Sequence, residues 1–377
     1  MAAILLLILL SLSVFYTIFY VSSVNGSNDL AQAALAAGKL PGSDAPLRTV
    51  YTGIGFIDDI LTILTIFFWP NAEAGNPALL IHSVAFTGTF SSAWVLVTLE
   101  AWRSGNACSI VSYSVLFGLL AQIMTFAFAT PLYLAIHLYL SVTATNPTVA
   151  NIHVPRIILK SIPLVFIPGF YLPTSLLLIP APAQVSTDLK QIFIAIWQFW
   201  PAYISFMLTT IRYLSPSPTA DANHSTLRPL RCIYALTFAN TAIPHIISWT
   251  IPLASVATPW LFNPVYLESL HPGIVFFIPR PWDAKPLTNL ADGAHSFLRW
   301  DYLIGSAGVL VWAVALYIAA HKKVSKRIGS LEFGAKIFFL TLVAGPVGAA
   351  VELVWERDEL VFEQGDFKRV DEGKKLL

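Results

Sequence analysis

Arg299-Trp300-Asp301-Tyr302-Leu303-Ile304-Gly305-Ser306-Ala307-Gly308-Val309-Leu310-Val311-Trp312-Ala313-Val314-Ala315-Leu316-Tyr317-Ile318-Ala319-Ala320 decides what kind of protein this chain forms. From Tyr302 to Ala320 no charged side chain interrupts the run, and about 20 apolar residues suffice for a helix to cross the hydrocarbon core of a bilayer. Asp301 stands at the entrance, where an ionised carboxylate is costly unless it finds a partner, a proton or a polar cavity. Both features recur. Apolar runs begin near residues 2, 54, 78, 109, 156, 191, 230, 300 and 333, and Asp58, Asp59, Glu100 and Glu352 lie inside or beside them. The pattern predicts an all-α, polytopic transmembrane helical bundle of eight or nine spans.

Composition points the same way. Hydrophobic residues make up 56% and charged residues 11%, against about 25% charged in soluble domains, and the mean hydropathy is +0.68. A net charge of +1 without a long basic run leaves no electrostatic footprint for nucleic acid. Cys108 and Cys232 each stand alone at the start of an apolar stretch, which predicts packing rather than a disulfide framework or a thiolate metal site. The eight histidines are scattered, with no His-Glu-x-x-His spacing, so no metal is expected. Neither a Gly-x-Ser-x-Gly elbow nor a P-loop nor a dinucleotide fingerprint occurs, and no cofactor is expected.

The chain divides into an N-terminal anchor or signal-like helix with its loop (1–50), a membrane-embedded catalytic bundle (51–360) and a polar tail (361–377). The first helix lacks the basic n-region of a signal peptide and is long for one, which favours a retained anchor. Pro131 is expected to kink or divide the long stretch from Ser109 to Val142. Six prolines between Pro155 and Pro182 predict a broken or tilted helix there. Residues 254–298, rich in Pro and Trp (Pro259, Trp260, Pro279, Pro281, Trp282), read as an interfacial lid. His321-Lys322-Lys323 and Lys326-Arg327 mark the last connection as cytosolic. With nine spans this places the amino terminus in the cytosol and the sequon Asn25-Gly26-Ser27 in the lumen, open to glycosylation, and hides Asn223-His224-Ser225. The expected location is the endoplasmic reticulum membrane.

Each acid has a bland and a chemical reading. Asp58 and Asp59 open the second apolar run, where acids favour a helix N-terminus. Glu100 closes the third run three residues before Arg103, a spacing that permits an ion pair on one helical face. Asp301 opens its run and has the same dipole reading. Glu352 follows Gly345-Pro346-Val347-Gly348-Ala349-Ala350-Val351 near the membrane edge. The chemical reading joins a buried acid to aromatic faces without a metal. Burial keeps a carboxylic acid neutral so that it can donate a proton to an alkene or epoxide. Aromatic rings then stabilise the moving carbocation by roughly 1–2 kcal/mol each once water is excluded. The 11 Trp, 13 Tyr and 25 Phe supply material for that role and equally for interfacial anchoring.

Four segments carry a resemblance: Tyr51-Thr52-Gly53-Ile54-Gly55-Phe56-Ile57-Asp58-Asp59-Ile60-Leu61-Thr62 with Phe67-Phe68-Trp69-Pro70; Glu100-x-x-Arg103-x-Gly105-Asn106; Arg299-Trp300-Asp301-Tyr302-Leu303-Ile304-Gly305-Ser306; and Gly345-Pro346-Val347-Gly348-Ala349-Ala350. Together they resemble the multispan fungal terpene cyclases of meroterpenoid biosynthesis, above all the larger branch that makes ascofuranone- and macrophorin-type products. The resemblance implies an integral membrane cyclase that protonates the terminal epoxide or olefin of a farnesyl chain on an aromatic or quinone head, without diphosphate loss. Asp58-Asp59 is not followed by the third aspartate of an Asp-Asp-x-x-Asp magnesium motif, and no Asp-x-Asp-Asp motif is present.

On this reading the candidate catalytic residues are Asp301, Glu100, Asp58 and Glu352, with Asp301 or Glu100 as proton donor and a second carboxylate as final acceptor. Trp94, Trp300, Tyr302 and Trp312 are the candidate substrate-facing aromatics, and a lipophilic prenylated substrate and membrane lipid are the expected partners. Two other classes fit the same acids: a transporter or receptor of a lipophilic metabolite, in which they gate protons or bind a cation, and a sterol-type isomerase.

Overall fold

A computed structural model of the chain describes residues 1–215, 224–323 and 329–375. Among the described residues the only β pairing is one antiparallel bridge between Lys39 and Pro46; the rest of the regular structure is helical. Twelve helices carry the architecture: α1 (Ala2–Val24), α2 (Ser27–Ala37), α3 (Gly55–Glu73), α4 (Pro77–Ala101), α5 (Ser114–Met124), α6 (Phe126–Leu140), α7 (Val149–Leu177), α8 (Thr187–Trp197), α9 (Trp200–Leu214), α10 (His224–Ala257), α11 (Leu290–Lys323) and α12 (Ser330–Lys375).

The decisive segment forms α11, which packs against α12, α6, α4 and α1, while α10 lies across α12 and α4. Small residues permit the closest of these approaches: a Cβ on Gly308 would stand 2.7 Å from Pro131 of α6, and one on Gly305 would collide with the Phe126 ring. Helix α1 is part of the bundle, since Leu7, Val14 and Ile18 are buried and the Ser11 hydroxyl donates to the Phe128 carbonyl at 2.8 Å.

The number of spans is lower than expected. Among the described residues, five helices are long and apolar enough to cross a membrane (α1, α4, α7, α11 and α12 as far as Gln364), or six if α8 and α9, bent by 55°, count as one. Asp58, Asp59 and Asn71 dilute α3, and Asn240, His245 and three prolines dilute α10. The stretch 109–142 is divided at Thr125, whose φ of 101° stops α5, and not at Pro131, which sits inside α6. At 1.5 Å per residue neither piece reaches the roughly 30 Å of a hydrocarbon core. The parity argument for an amino terminus in the cytosol therefore loses its count.

Other expectations meet the structure as follows. Helix α7 is interrupted before Arg156 and contains a π-helical turn at Ile167–Tyr171, beside Pro168 and Pro173. Segment 254–298 is shorter than expected, because α10 runs to Ala257 and α11 begins at Leu290. Its exposed Trp260 and Trp282 suit an interface, and three side chains of α11 fasten it down: His295 Nε2 to Val275 O at 3.0 Å, Arg299 NH1 to Phe277 O at 2.5 Å, and Trp300 Nε1 to Pro279 O at 3.2 Å. Both cysteines are exposed rather than packed. Asn25 is buried, its Oδ1 accepting from the Ser27 amide and its carbonyl from Leu287, so the folded chain encloses this sequon. Asn223 of the second sequon, and Lys326-Arg327, lie outside the described residues.

Candidate functional site

The end of α4 carries the densest chemistry. Glu100, in its last turn, is 1% exposed, and a carboxylate so enclosed needs charge and hydrogen-bond partners. It has four. Oε1 meets Arg103 Nε at 2.8 Å and an Arg357 terminal nitrogen at 2.7 Å. Oε2 meets His137 Nε2 and Thr143 Oγ1, each at 3.0 Å. The same two arginines reach a second buried carboxylate, Asp358: Arg103 NH2 lies 2.8 Å from Oδ2 and Arg357 NH1 lies 3.1 Å from Oδ1. The Tyr234 hydroxyl donates to Asp358 Oδ2 at 2.7 Å. Two guanidiniums thus balance two carboxylates, all four side chains 0–1% exposed.

The imidazole at this centre has a determined tautomer. The Trp312 indole, which can only donate, gives its N–H to His137 Nδ1 at 3.0 Å. Nδ1 therefore holds the lone pair, the ring is neutral, and Nε2 carries the proton pointed at Glu100. The motif around Glu100 has local reasons as well. Asn106 Nδ2 donates to the Glu100 carbonyl at 2.7 Å and closes the helix end, while a Cβ on Gly105 would press within 2.8 Å of Asn151 and Val142.

The network is not self-sufficient. Arg357 Nε is buried without a hydrogen-bond partner among the described residues, and Asp358 Oδ1 has only its ion contact with Arg357 NH1. A cavity of about 600 Å³ adjoins it, with Arg103 in its wall together with Trp94, Trp102, Tyr113 and Trp200. The indoles of Trp94 and Trp200 pack edge-on at 5.6 Å, and Phe90 extends the cluster to Phe126 and Phe170. That volume is in the range of small-molecule sites.

Of the eight residues picked out in the sequence, three converge here: Glu100, Trp312 through His137, and Trp94 on the cavity wall. The others go elsewhere. Asp58 accepts the backbone amides of Tyr51, Thr52 and Gly53 and the Thr52 hydroxyl, all within 3.1 Å. These bonds, the Thr52 amide first, hold its carboxyl below its ordinary value against a weaker opposing effect of burial. Asp59 is exposed. Asp301 is buried and accepts the Ala127 amide at 2.6 Å, where the N-terminus of α6 offers it positive charge; no cationic side chain pairs with it among the described residues. Glu352 is half-buried on α12 beside the Lys336–Glu356 ion pair. Trp300 bonds the 258–289 connection as described, and Tyr302 lines a different cavity.

Asp358, Arg357, His137 and Tyr234 were not anticipated. Arg357-Asp358 is an opposite-charge pair at the edge of an apolar run, and His137 is a polar side chain within one. The test applied to the other carboxylates would have flagged all three.

Comparison with known proteins follows the same contour. The CtvD domain family matches residues 1–362. The terpene cyclase ctvD of Aspergillus terreus is 30% identical over 335 residues, covering 89% of this chain and 92% of that protein. The terpene cyclase ascI of Acremonium egyptiacum is 32% identical over 335 residues, 86% of this chain and 83% of that protein. The terpene cyclase penA of Penicillium crustosum is 29% identical over 357 residues, 93% and 94% respectively. No solved structure matches the chain.

Proposed function

The chain belongs to the CtvD-domain family and is a cyclase enzyme, and from that we propose that it closes rings in the prenyl chain of a lipophilic meroterpenoid precursor by proton-initiated carbocation chemistry. The substrate class is a farnesylated aromatic or quinone, held in the cavity walled by Trp94, Trp102 and Trp200, and the enzyme works as an integral protein of the endoplasmic reticulum membrane.

One observation carries the mechanism: Glu100 and Asp358 are buried together and joined through Arg103 and Arg357. With both carboxylates ionised the ensemble is neutral. Because two guanidiniums favour the ionised form of each carboxylate, a proton taken up by one of them makes it a strong acid. It passes that proton to the epoxide oxygen or the terminal alkene carbon, and the resulting cation is attacked by the next double bond. Loss of a proton from carbon to the other carboxylate ends the sequence, so the product has the mass of the substrate. The indole faces favour the cation over the neutral substrate, by roughly 1–2 kcal/mol each in a site without water.

A second assignment of the acid rests on Asp301. It has no cationic partner among the described residues, so it is the buried carboxyl best able to stay protonated.

The test incubates microsomes containing the full chain with a farnesylated phenol, with and without its terminal epoxide, and follows products by mass and NMR. A product of unchanged mass with new rings is expected. Glu100→Gln and Asp358→Asn should each lose at least roughly 100-fold in rate while the protein stays in the membrane; Asp301→Asn should retain activity. Loss in Asp301→Asn with full activity in the other two would move the donor to Asp301. Unreacted substrate across a varied panel would sink the prenyl-chain reading.

A further inference from the structure

Helix α4 has a second cavity at its other end, about 520 Å³ in volume and sharing no lining residue with the first. His82 and Ala85 line it, against Trp94 and Arg103 for the first, and at 1.5 Å per residue the two sites are separated by roughly 14–30 Å along the helix. Its walls come from α4, α10, α11, α12 and the 274–279 segment fastened by His295, Arg299 and Trp300. The kink in α12 shapes it. Pro346 has no N–H, so the Leu342 carbonyl has no helical donor, and His245 Nε2 takes that place at 3.2 Å.

This bond sets the chemistry of the ring. A carbonyl only accepts, so Nε2 carries the proton and, in a neutral ring, Nδ1 holds a lone pair. His245 is 9% exposed and its Nδ1 is buried without a hydrogen-bond partner among the described residues. The same point of the cavity holds the Tyr302 hydroxyl: both atoms lie within 3.3 Å of where a Cβ on Gly345 would be. Gly345 has a φ of 74°, a conformation open to glycine and poor for other residues. His82, 3% exposed, lies against the Leu298 backbone, outside strict hydrogen-bond geometry. Arg299, its guanidinium turned to the Ile274 and Phe277 carbonyls, and Thr341 also line the cavity; the rest is apolar, with the Trp249 and Phe276 rings stacked at 4.0 Å, and the rim residues Leu253, Phe338 and Leu342 are exposed.

Buried polar atoms without partners in an apolar chamber describe the complement of their ligand. We propose that this cavity is a second binding site, which takes an apolar molecule through one hydroxyl donated to His245 Nδ1. A phenol or alcohol on a prenyl chain and a 3-hydroxysterol share this chemistry, and both reach the exposed rim sideways from a bilayer. The site goes beyond the cyclisation itself, because none of Glu100, Asp358 and their arginines belongs to it.

Equilibrium binding to the full chain purified in detergent tests this with four probes: a hexahydrofarnesyl phenol, whose saturated chain cannot be cyclised, a 3-hydroxysterol, and the O-methyl ether of each. At least one hydroxyl probe should bind, and which one does so names the source. Its ether should bind roughly tenfold more weakly or less, since it leaves the buried acceptor unpaired. His245→Phe should lose the same component while still cyclising substrate. Equal binding of probe and ether, binding unchanged in His245→Phe, or no binding of either hydroxyl probe would overturn the proposal. Should His245→Phe fail to fold, the ether comparison on the unaltered chain decides alone. Absence of any ring product would bear on the cyclase reading and leave these binding results standing.

Discussion

The two ends of α4 hold buried polar groups on opposite terms. At the Glu100 end they are full charges, and each has been given an opposite charge within about 3 Å. At the His82 end they are mostly neutral rings and hydroxyls, with Arg299 held by backbone carbonyls, and among the described residues His245 Nδ1 and Thr341 Oγ1 lack a hydrogen-bond partner. The difference follows from cost. An unpaired ion in a low dielectric is worth many kcal/mol against the fold, whereas an unpaired neutral nitrogen costs about 1–3. Vacant binding capacity can therefore be stored as neutral groups, while charges survive burial only as an assembled set. This is also why the charged end reads as machinery and the neutral end as a receptor for something absent.

The largest effect should come from breaking the charged set unevenly. Arg357→Met leaves Glu100 and Asp358 short of a cation and should cost about 3–5 kcal/mol, read as loss of thermal stability in detergent. Adding Glu100→Gln to it should recover part of that loss. An undiminished melting temperature in Arg357→Met would erase the contrast between the two ends.

Next is Trp312→Phe, which removes the donor to His137 Nδ1 and leaves a buried lone pair. A loss of about 1–3 kcal/mol is expected, measured in the same melt. Gly345→Ala belongs to the other end and should cost about 1–3 kcal/mol, because φ 74° with ψ 171° is a conformation essentially confined to glycine, while narrowing the cavity beside His245 and Tyr302. The hydroxyl probes should then bind less well even where the protein folds.

The smallest effect concerns Asp58, which lies in neither end. Because its folded carboxyl is held below the ordinary value near 3.8, its contribution is present above that value and lost only as pH falls through the lower folded one. Hydrogen exchange of the amides at Tyr51, Thr52 and Gly53 should stay protected from neutral pH down through the mildly acid range and open only in strong acid. Opening in the mildly acid range would assign Asp58 a different partner. Asp58→Asn should loosen the turn at every pH.

The helical architecture was legible because apolar runs long enough for a bilayer have few other solutions. The number of spans was not. Thr125 carries no letter-level signal of a positive φ, and the apolar stretch 109–142 reads as continuous until the chain is seen to turn there. Glu100 and Arg103 were legible as a pair because three residues along one helix face is a local distance. Asp358 was not, because its pairing with Arg103 joins the ends of α4 and α12, which are far apart in sequence and meet only through packing. Asp301 illustrates the reverse case. Its position at the head of an apolar run suggested a contact with the dipole of its own helix, whereas α11 begins eleven residues earlier, at Leu290, and the Asp301 oxygen accepts from the start of α6.

The sequence by itself determined the class of protein, the supply of apolar helices, the absence of soluble-enzyme motifs and a resemblance to terpene cyclases, since each depends on composition or on neighbours along one helix. Only the tertiary structure decided which acids share a site, which nitrogen of His137 and of His245 carries a proton, and that α4 serves two separate cavities. Those facts depend on which faces of distant helices pack together, through close approaches such as those at Gly88, Gly305 and Gly308 and through the carbonyl that Pro346 leaves without a helical donor.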